Sequence, residues 1–180
     1  MTRVSDLQNL LEDYAAPSAE IDAVASTLRL LDAGDVAMSA DHYVPGHVTA
    51  SAFVVDRART RLLLIHHRKL HLWLQPGGHV DAGEAVLAAA IREVHEETGV
   101  VGAPIDVAVF DVDVHPIPAN GGRPPHNHYD VRFLLEATSE LLIESDEVLG
   151  VEWVLFDEVD EIVTDHSVLR ATRKLMSRWG

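Results

Sequence analysis

Three glutamates at positions 93, 96 and 97 constrain this chain more than any other feature. They close a stretch that leaves Pro76-Gly77-Gly78 and runs through Ala85-Val86-Leu87-Ala88-Ala89-Ala90-Ile91, residues that favour a helix with an apolar face. On a helix, positions i, i+3 and i+4 lie on one face, so the three carboxylates share it. Like charges at that spacing repel by about 0.2–0.5 kcal/mol per pair. A fold that keeps them together needs a cation there, and hard oxygen donors suit Mg²⁺ or Mn²⁺. Gly99 stands where a C-cap glycine is expected.

The stretch reads Gly78-His79-Val80-Asp81-Ala82-Gly83-Glu84, then seven residues of small or apolar filler, then Arg92-Glu93-Val94-His95-Glu96-Glu97-Thr98-Gly99-Val100. It resembles the Nudix box, G-x5-E-x7-R-E-U-x-E-E-x-G-U with U a bulky aliphatic. Gly78, Glu84, Arg92, Glu93, Val94, Glu96, Glu97, Gly99 and Val100 all match. At roughly one in fifteen per single-residue requirement, chance gives about 10⁻⁶ over a chain of this length. A lone E-x-x-E-E would usually be a solvated helix face; the whole box is far more specific.

The resemblance covers residues 47–178 and implies an α/β/α sandwich with a mixed sheet between helices. It also implies roles. Glu96 and Glu97 are expected as primary metal ligands, with Glu93 and the Gly77 carbonyl completing a Mg²⁺ (or Mn²⁺) set. Arg92 is expected to pair with a box carboxylate and fix its rotamer. The proton of the attacking water goes to a glutamate of the box, Glu93 or Glu96, or to one in the acidic loop at 140–147, for which Glu147 is the candidate.

The rest of the chain supplies the surroundings. Residues 1–45 read as a helical extension and 46–180 as the catalytic domain. In the extension, Ser5 and Asp6 can cap one helix, Pro17 breaks it, Ser18 with Glu20 can cap a second, and Gly34 closes that one. A hairpin packed on the domain is the first reading; a dimerisation element, giving a homodimer, is the alternative. Residues 47–56 and 61–67 read as two strands joined by the polar turn Arg57-Ala58-Arg59-Thr60. Arg68, Lys69 and His71 then form a basic cluster just before the box, and Arg68 with His79 is expected to meet an anionic substrate. A strand over 105–115 is expected to end near His115. The Pro/Gly-rich stretch 116–128 reads as a loop too long for a hairpin turn. Its Arg123, His126 and His128 are further candidates for substrate contact. The His126-x-His128 pair also invites a metal reading, but zinc would need further ligands that the sequence does not place. Strands at 129–138 and 150–156 follow, and Asp165 opens the last helix as its N-cap.

Composition narrows the function classes. The chain of 180 residues carries a formal net charge of −15 and no cysteine. That charge repels nucleic-acid backbone and anionic membrane, so neither is expected as a partner. The missing thiols exclude a disulfide scaffold and zinc–thiolate sites, and they argue against a prenyl-diphosphate isomerase, a similar fold that relies on a catalytic cysteine. With no apolar leader at the start and no apolar run of spanning length, a cytoplasmic location is expected. The leading expectation is a Mg²⁺-dependent hydrolase of a nucleoside diphosphate derivative, an ADP-ribose-like compound or a modified nucleoside triphosphate. The alternative is a binding module that senses a nucleotide without cleaving it.

Overall fold

A strand covered on both faces reads as a continuous apolar run rather than an alternation. The computed structural model shows this in β1 (Gly46–Val55), buried at every position, and in β2 (Arg61–His67), buried from Leu62 to Ile65. The structure describes residues 3–143, 145–146, 148–163 and 165–179. Before β1 come α1 (Arg3–Glu12), α2 (Ile21–Leu31) and a 3₁₀ turn at Gly34–Met38. After β2 come β3 (Trp73–Leu74), β4 (Gly77–His79), α3 (Val86–Thr98), β5 (Val101–Pro104) and β6 (Asp111–Ile117). The chain ends with β7 (His126–Ser139), β8 (Val148–Leu155), α4 (Val159–Ile162) and α5 (His166–Trp179). Hydrogen bonds order the strands β3-β2-β1-β7-β5, with β4 on β1, β6 on β7 and β8 on β2. The architecture is a mixed sheet with helices, of the α/β class. Among the described residues no helix is long and apolar enough to cross a membrane.

The contacts divide the chain into two compact units. One holds the described residues up to Ser51 with Gly78–Ala90 and Val107–Phe133; the other holds Ala52–Gly77, Ile91–Asp106 and the described residues from Leu134 onward. In the first unit α2 packs on β6. The Tyr14 hydroxyl donates to the Phe110 carbonyl at 2.9 Å and also bonds the Glu20 carboxylate. Glu20 is buried and accepts the Val112 amide at 3.3 Å. Glu20 is therefore the N-cap residue of α2 without capping through its side chain, and Ser18 does not cap it either. Likewise α1 already begins at Arg3, whose guanidinium donates to the Asp81 carbonyl at 3.3 Å, so Ser5 and Asp6 lie inside the helix.

The same unit is pinned by a buried ionic network. Arg132 on β7 is 1% exposed and donates through Nε to Asp130 at 2.8 Å and through Nη1 to Asp111 at 3.2 Å. Its Nη2 lies 3.6 Å from Asp113. Asp130 also accepts from Thr49 at 3.1 Å and Ser51 at 2.8 Å, which joins β1 to the pair. Burial works against the charged guanidinium, but Asp130, Asp111 and Asp113 outweigh it and raise its pKa.

β6 and β7 form an antiparallel hairpin, from Asp111 opposite Arg132 to Ile117 opposite His126. The stretch 116–128 is thus not the long loop its composition suggests. Asn120 and Arg123 exchange backbone hydrogen bonds at 3.1 and 2.9 Å around Gly121 and Gly122, whose φ values are 58° and 85°. Two positive φ values are what a tight two-residue hairpin turn requires, and glycine adopts them without penalty. His126 and His128 consequently sit on a strand.

Gly46 marks a close approach of backbones. A Cβ there would stand 1.8 Å from the Asn127 carbonyl oxygen, at a φ of 153°. Gly46→Ala is expected to cost at least about 2 kcal/mol, since the clash is with main chain that cannot swing aside. For a domain of this size that is a fall of about 4–8 °C in a thermal melt; an unchanged melting temperature would show that β7 can yield at Asn127.

In the second unit β2 pairs with β8 along its length, Leu62 opposite Val154 and Ile65 opposite Val151, and its ends meet Val55 of β1 and Leu74 of β3. β5 pairs with the far end of β7. The end of α3 is capped by Gly99, whose φ is 72° and whose amide donates to His95 at 2.9 Å. The Ile143 amide donates to the Thr98 carbonyl at 2.8 Å, which ties the stretch after β7 to the same helix end. Asp165 caps α5 through bonds to the Ser167 and Val168 amides at 2.9 and 3.1 Å.

Candidate active site

The last turns of α3 gather the acidic group. Small residues at 88–90 give the helix its propensity, and Ala89, Ala90 and Val94 bury its core side. The opposite side presents Arg92, Glu93 and Glu96. One guanidinium nitrogen, Nη1 of Arg92, donates to Glu93 at 2.8 Å and to Glu96 at 2.9 Å. The Glu93 side chain is 14% exposed and that of Glu96 58%, so the arginine ties an inner carboxylate to an outer one.

Glu97 is 6% exposed and reaches in another direction. Its Oε2 accepts the Gly77 amide at 2.9 Å. Gly77 is itself held in place because the neighbouring Pro76 carbonyl accepts the Ala52 amide at 3.0 Å. The helix and the Pro76-Gly77 turn therefore position one another through a charge-assisted bond. Arg92 thus fixes Glu93 and Glu96, and the Gly77 amide fixes Glu97; carboxylate oxygens are the hard donors that suit a divalent cation such as Mg²⁺. Glu84 lies ahead of α3, where its carboxylate accepts the Asp81 amide at 3.1 Å and closes a turn.

Among the other expected contacts, Arg68 donates to the carbonyls of Asp146 and Val148 at 2.8 and 2.9 Å, where it fastens β2 to the start of β8. Glu140 pairs with Arg61 at 2.6 Å. Glu147 lies outside the described residues. Arg123 is exposed at the tip of the β6–β7 hairpin.

His79, His126 and His128 are brought together in the first unit, and with them a residue that sequence reasoning did not single out, His47. The His47 ring lies 5.0 Å from that of His126, 4.9 Å from His128 and 5.1 Å from His79. His126 and His128 share a face of β7 because strand side chains alternate. Burial lowers the His47 pKa to about 4, against the bond from its ring to the His42 carbonyl and with a smaller electrostatic contribution from the surrounding histidines. Burial with His47, His115, His79 and His126 lowers His128 to about 2. His115 goes the other way: burial is outweighed by its bond to Asp113 and by the charges of Asp130 and Asp113. The one sequence signal for His47 is a titratable residue at the head of a mostly apolar strand.

Comparisons with known proteins agree with the fold. A family model described as NUDIX domain matches residues 45–175. A probable DHNTP pyrophosphohydrolase of Lactococcus lactis is 30% identical over 135 residues, which span 69% of this chain and 78% of that protein. Two other curated relatives are matched over only 34% and 32% of their length. Among solved structures, a MutT NUDIX hydrolase from Burkholderia pseudomallei aligns with a TM-score of 0.56 and 28% identity, over 71% of this chain and 95% of that one. A MutT protein from Methanosarcina mazei shares the fold, with a TM-score of 0.59 at 18% identity, over 73% and 93%.

Proposed function

The chain belongs to the NUDIX-domain family and is a hydrolase of pyrophosphate bonds, and from that premise we propose that it cleaves a diphosphate linkage in a nucleoside diphosphate derivative by Mg²⁺-dependent attack of water. The observation that supports this reading is the joint fixing of Glu93, Glu96 and Glu97 by Arg92 and the Gly77 amide. Mg²⁺, with Mn²⁺ as the other hard cation, would be held by these three carboxylates and the Gly77 carbonyl, and would neutralise the diphosphate oxygens and lower the pKa of water.

The chain's own residues do the rest. Arg92 removes rotamer freedom from Glu93 and Glu96, so both are already placed when substrate arrives. One glutamate, Glu96 or Glu93 of the helix or Glu147 of the acidic loop, takes the proton as water oxygen bonds to phosphorus. The bridging P–O bond breaks, and the leaving phosphate departs with its electron pair. Arg68, His79 and Arg123 are the proposed contacts to the substrate's negative charge, which a protein at −15 must offset locally. Residues 46–180 act as the hydrolase domain, with 1–45 as a helical extension.

A substrate panel tests the reading. ADP-ribose, dihydroneopterin triphosphate and an oxidised nucleoside triphosphate are incubated with Mg²⁺ in ¹⁸O-labelled water, and products are identified by mass. Cleavage of at least one, with label in one phosphate product and no reaction in EDTA, is the expected result. Thermal stabilisation by a nucleotide without any cleavage would replace the hydrolase by a sensor.

A further inference from the structure

His47 on β1 and His126 and His128 on β7 are far apart in sequence, yet each offers a ring nitrogen within 4.8 Å of the other two. Two of the three are buried, His47 at 1% and His126 at 9% exposure, and His128 is half-buried. Buried polar atoms are nearly always hydrogen-bonded. The His47 ring breaks that rule. Its Nδ1 stands 3.1 Å from the His42 carbonyl oxygen and so carries the proton and donates, while its Nε2 has no hydrogen-bond partner. His126 is held the same way, with Nδ1 donating to the Pro124 carbonyl at 2.8 Å, which makes Nε2 the nitrogen that carries the lone pair. A backbone carbonyl that accepts one ring N–H, fixing the tautomer and turning the other nitrogen inward, is the arrangement found around metal-bound histidines.

We propose that His47, His126 and His128 form a three-imidazole site for a borderline transition cation, Zn²⁺ first, which ties the head of β1 to the head of β7. Imidazole nitrogen suits Zn²⁺, Ni²⁺ and Cu²⁺, whereas Mg²⁺ prefers oxygen, so this chemistry is separate from that of the α3 carboxylates. Zinc–nitrogen bonds of about 2.0–2.1 Å in a tetrahedral set put the nitrogens about 3.4 Å apart. Closing from 4.8 Å asks each nitrogen to move by less than about 1 Å, within reach of ring and χ adjustments. Three protein ligands suffice for zinc when water takes the fourth position. The His79 ring, 5.6 Å from that of His128, borders the set. The inference stands independently of the hydrolase reading.

The test uses the tag-free full chain, stripped with EDTA, desalted and kept in excess Mg²⁺. Zn²⁺ is titrated by calorimetry and Co²⁺ by visible absorption. One tight Zn²⁺ site and the intense Co²⁺ bands of four-coordination are expected. His126→Ala and His128→Ala should each weaken Zn²⁺ at least about 100-fold and bleach the Co²⁺ bands, while Glu97→Gln binds Zn²⁺ as the parent does. X-ray absorption of the Zn²⁺-loaded parent, which needs no variant to fold, should show three imidazole nitrogens at about 2.0 Å. An all-oxygen shell, or tight binding lost in Glu97→Gln and kept in the histidine variants, overturns the proposal.

Discussion

Glu97→Gln is expected to lower kcat by about 10³-fold while the melting temperature stays within about 2 °C of the parent. The two halves of that result have separate causes. The carboxamide oxygen can still accept the Gly77 amide that Oε2 accepts at 2.9 Å, so the turn before the box keeps its tether. What disappears is the negative charge, and with it the proposed cation ligand. Charge stabilisation by a bound metal is worth several kcal/mol in the transition state, and each 1.36 kcal/mol is tenfold in rate. Steady-state kinetics over a Mg²⁺ series read the effect directly, with a higher Mg²⁺ requirement in the variant. Unchanged turnover at low Mg²⁺ would remove Glu97 from the machinery. A collapse of stability together with activity would make it a structural residue.

Arg132→Met should give the largest loss of stability, about 3–5 kcal/mol, because it strips a buried arginine from Asp130 and Asp111. At 2–4 °C per kcal/mol for a domain of this size, the melting temperature falls by roughly 10 °C. The cause is specific. Methionine fills much of the volume, so the loss is electrostatic rather than a cavity, and the two carboxylates are left in a site with little water. Adding Asp111→Asn to Arg132→Met removes one of the stranded charges and should recover part of the loss, whereas Asp111→Asn alone destabilises. A double-mutant cycle from urea melts measures that coupling. A single-variant cost below about 1 kcal/mol would mean that water reaches the network.

How much was legible in the sequence depends on the range of the interactions that decide each element. The box helix, β2 at 61–67 and α5 with its Asp165 cap were readable because periodicity, propensity and capping act within a few residues. β3, β4 and β5 were not. Two to four residues carry no period, and they become strands only by pairing with segments distant in the chain. The 116–128 stretch misled through composition: its prolines and glycines signal turns, but only the facing register of Asp111–Ile117 and His126–Arg132 shows that they close a hairpin. The same limit hid the histidine cluster. His126 and His128 announce themselves as a pair, but their meeting with His47 depends on how β1 and β7 align, which no local pattern encodes. On α3 the spacing of Arg92, Glu93 and Glu96 brings them together, since a helix converts spacing into proximity, whereas the bond of Glu97 to the Gly77 amide comes only from the structure.

The Ile143 amide bonded to the Thr98 carbonyl carries one more consequence. Gly99 cannot accept a side chain without striking Ile143, since a Cβ there would lie 2.7 Å from that of the isoleucine. The segment that leads into the acidic loop is thus docked on the residue next to Glu97. Helix ends and loops are where local opening begins. Weakening the Ile143 contact is therefore expected to speed amide hydrogen exchange at Thr98 and Gly99, which an exchange measurement on an Ile143→Ala variant reads.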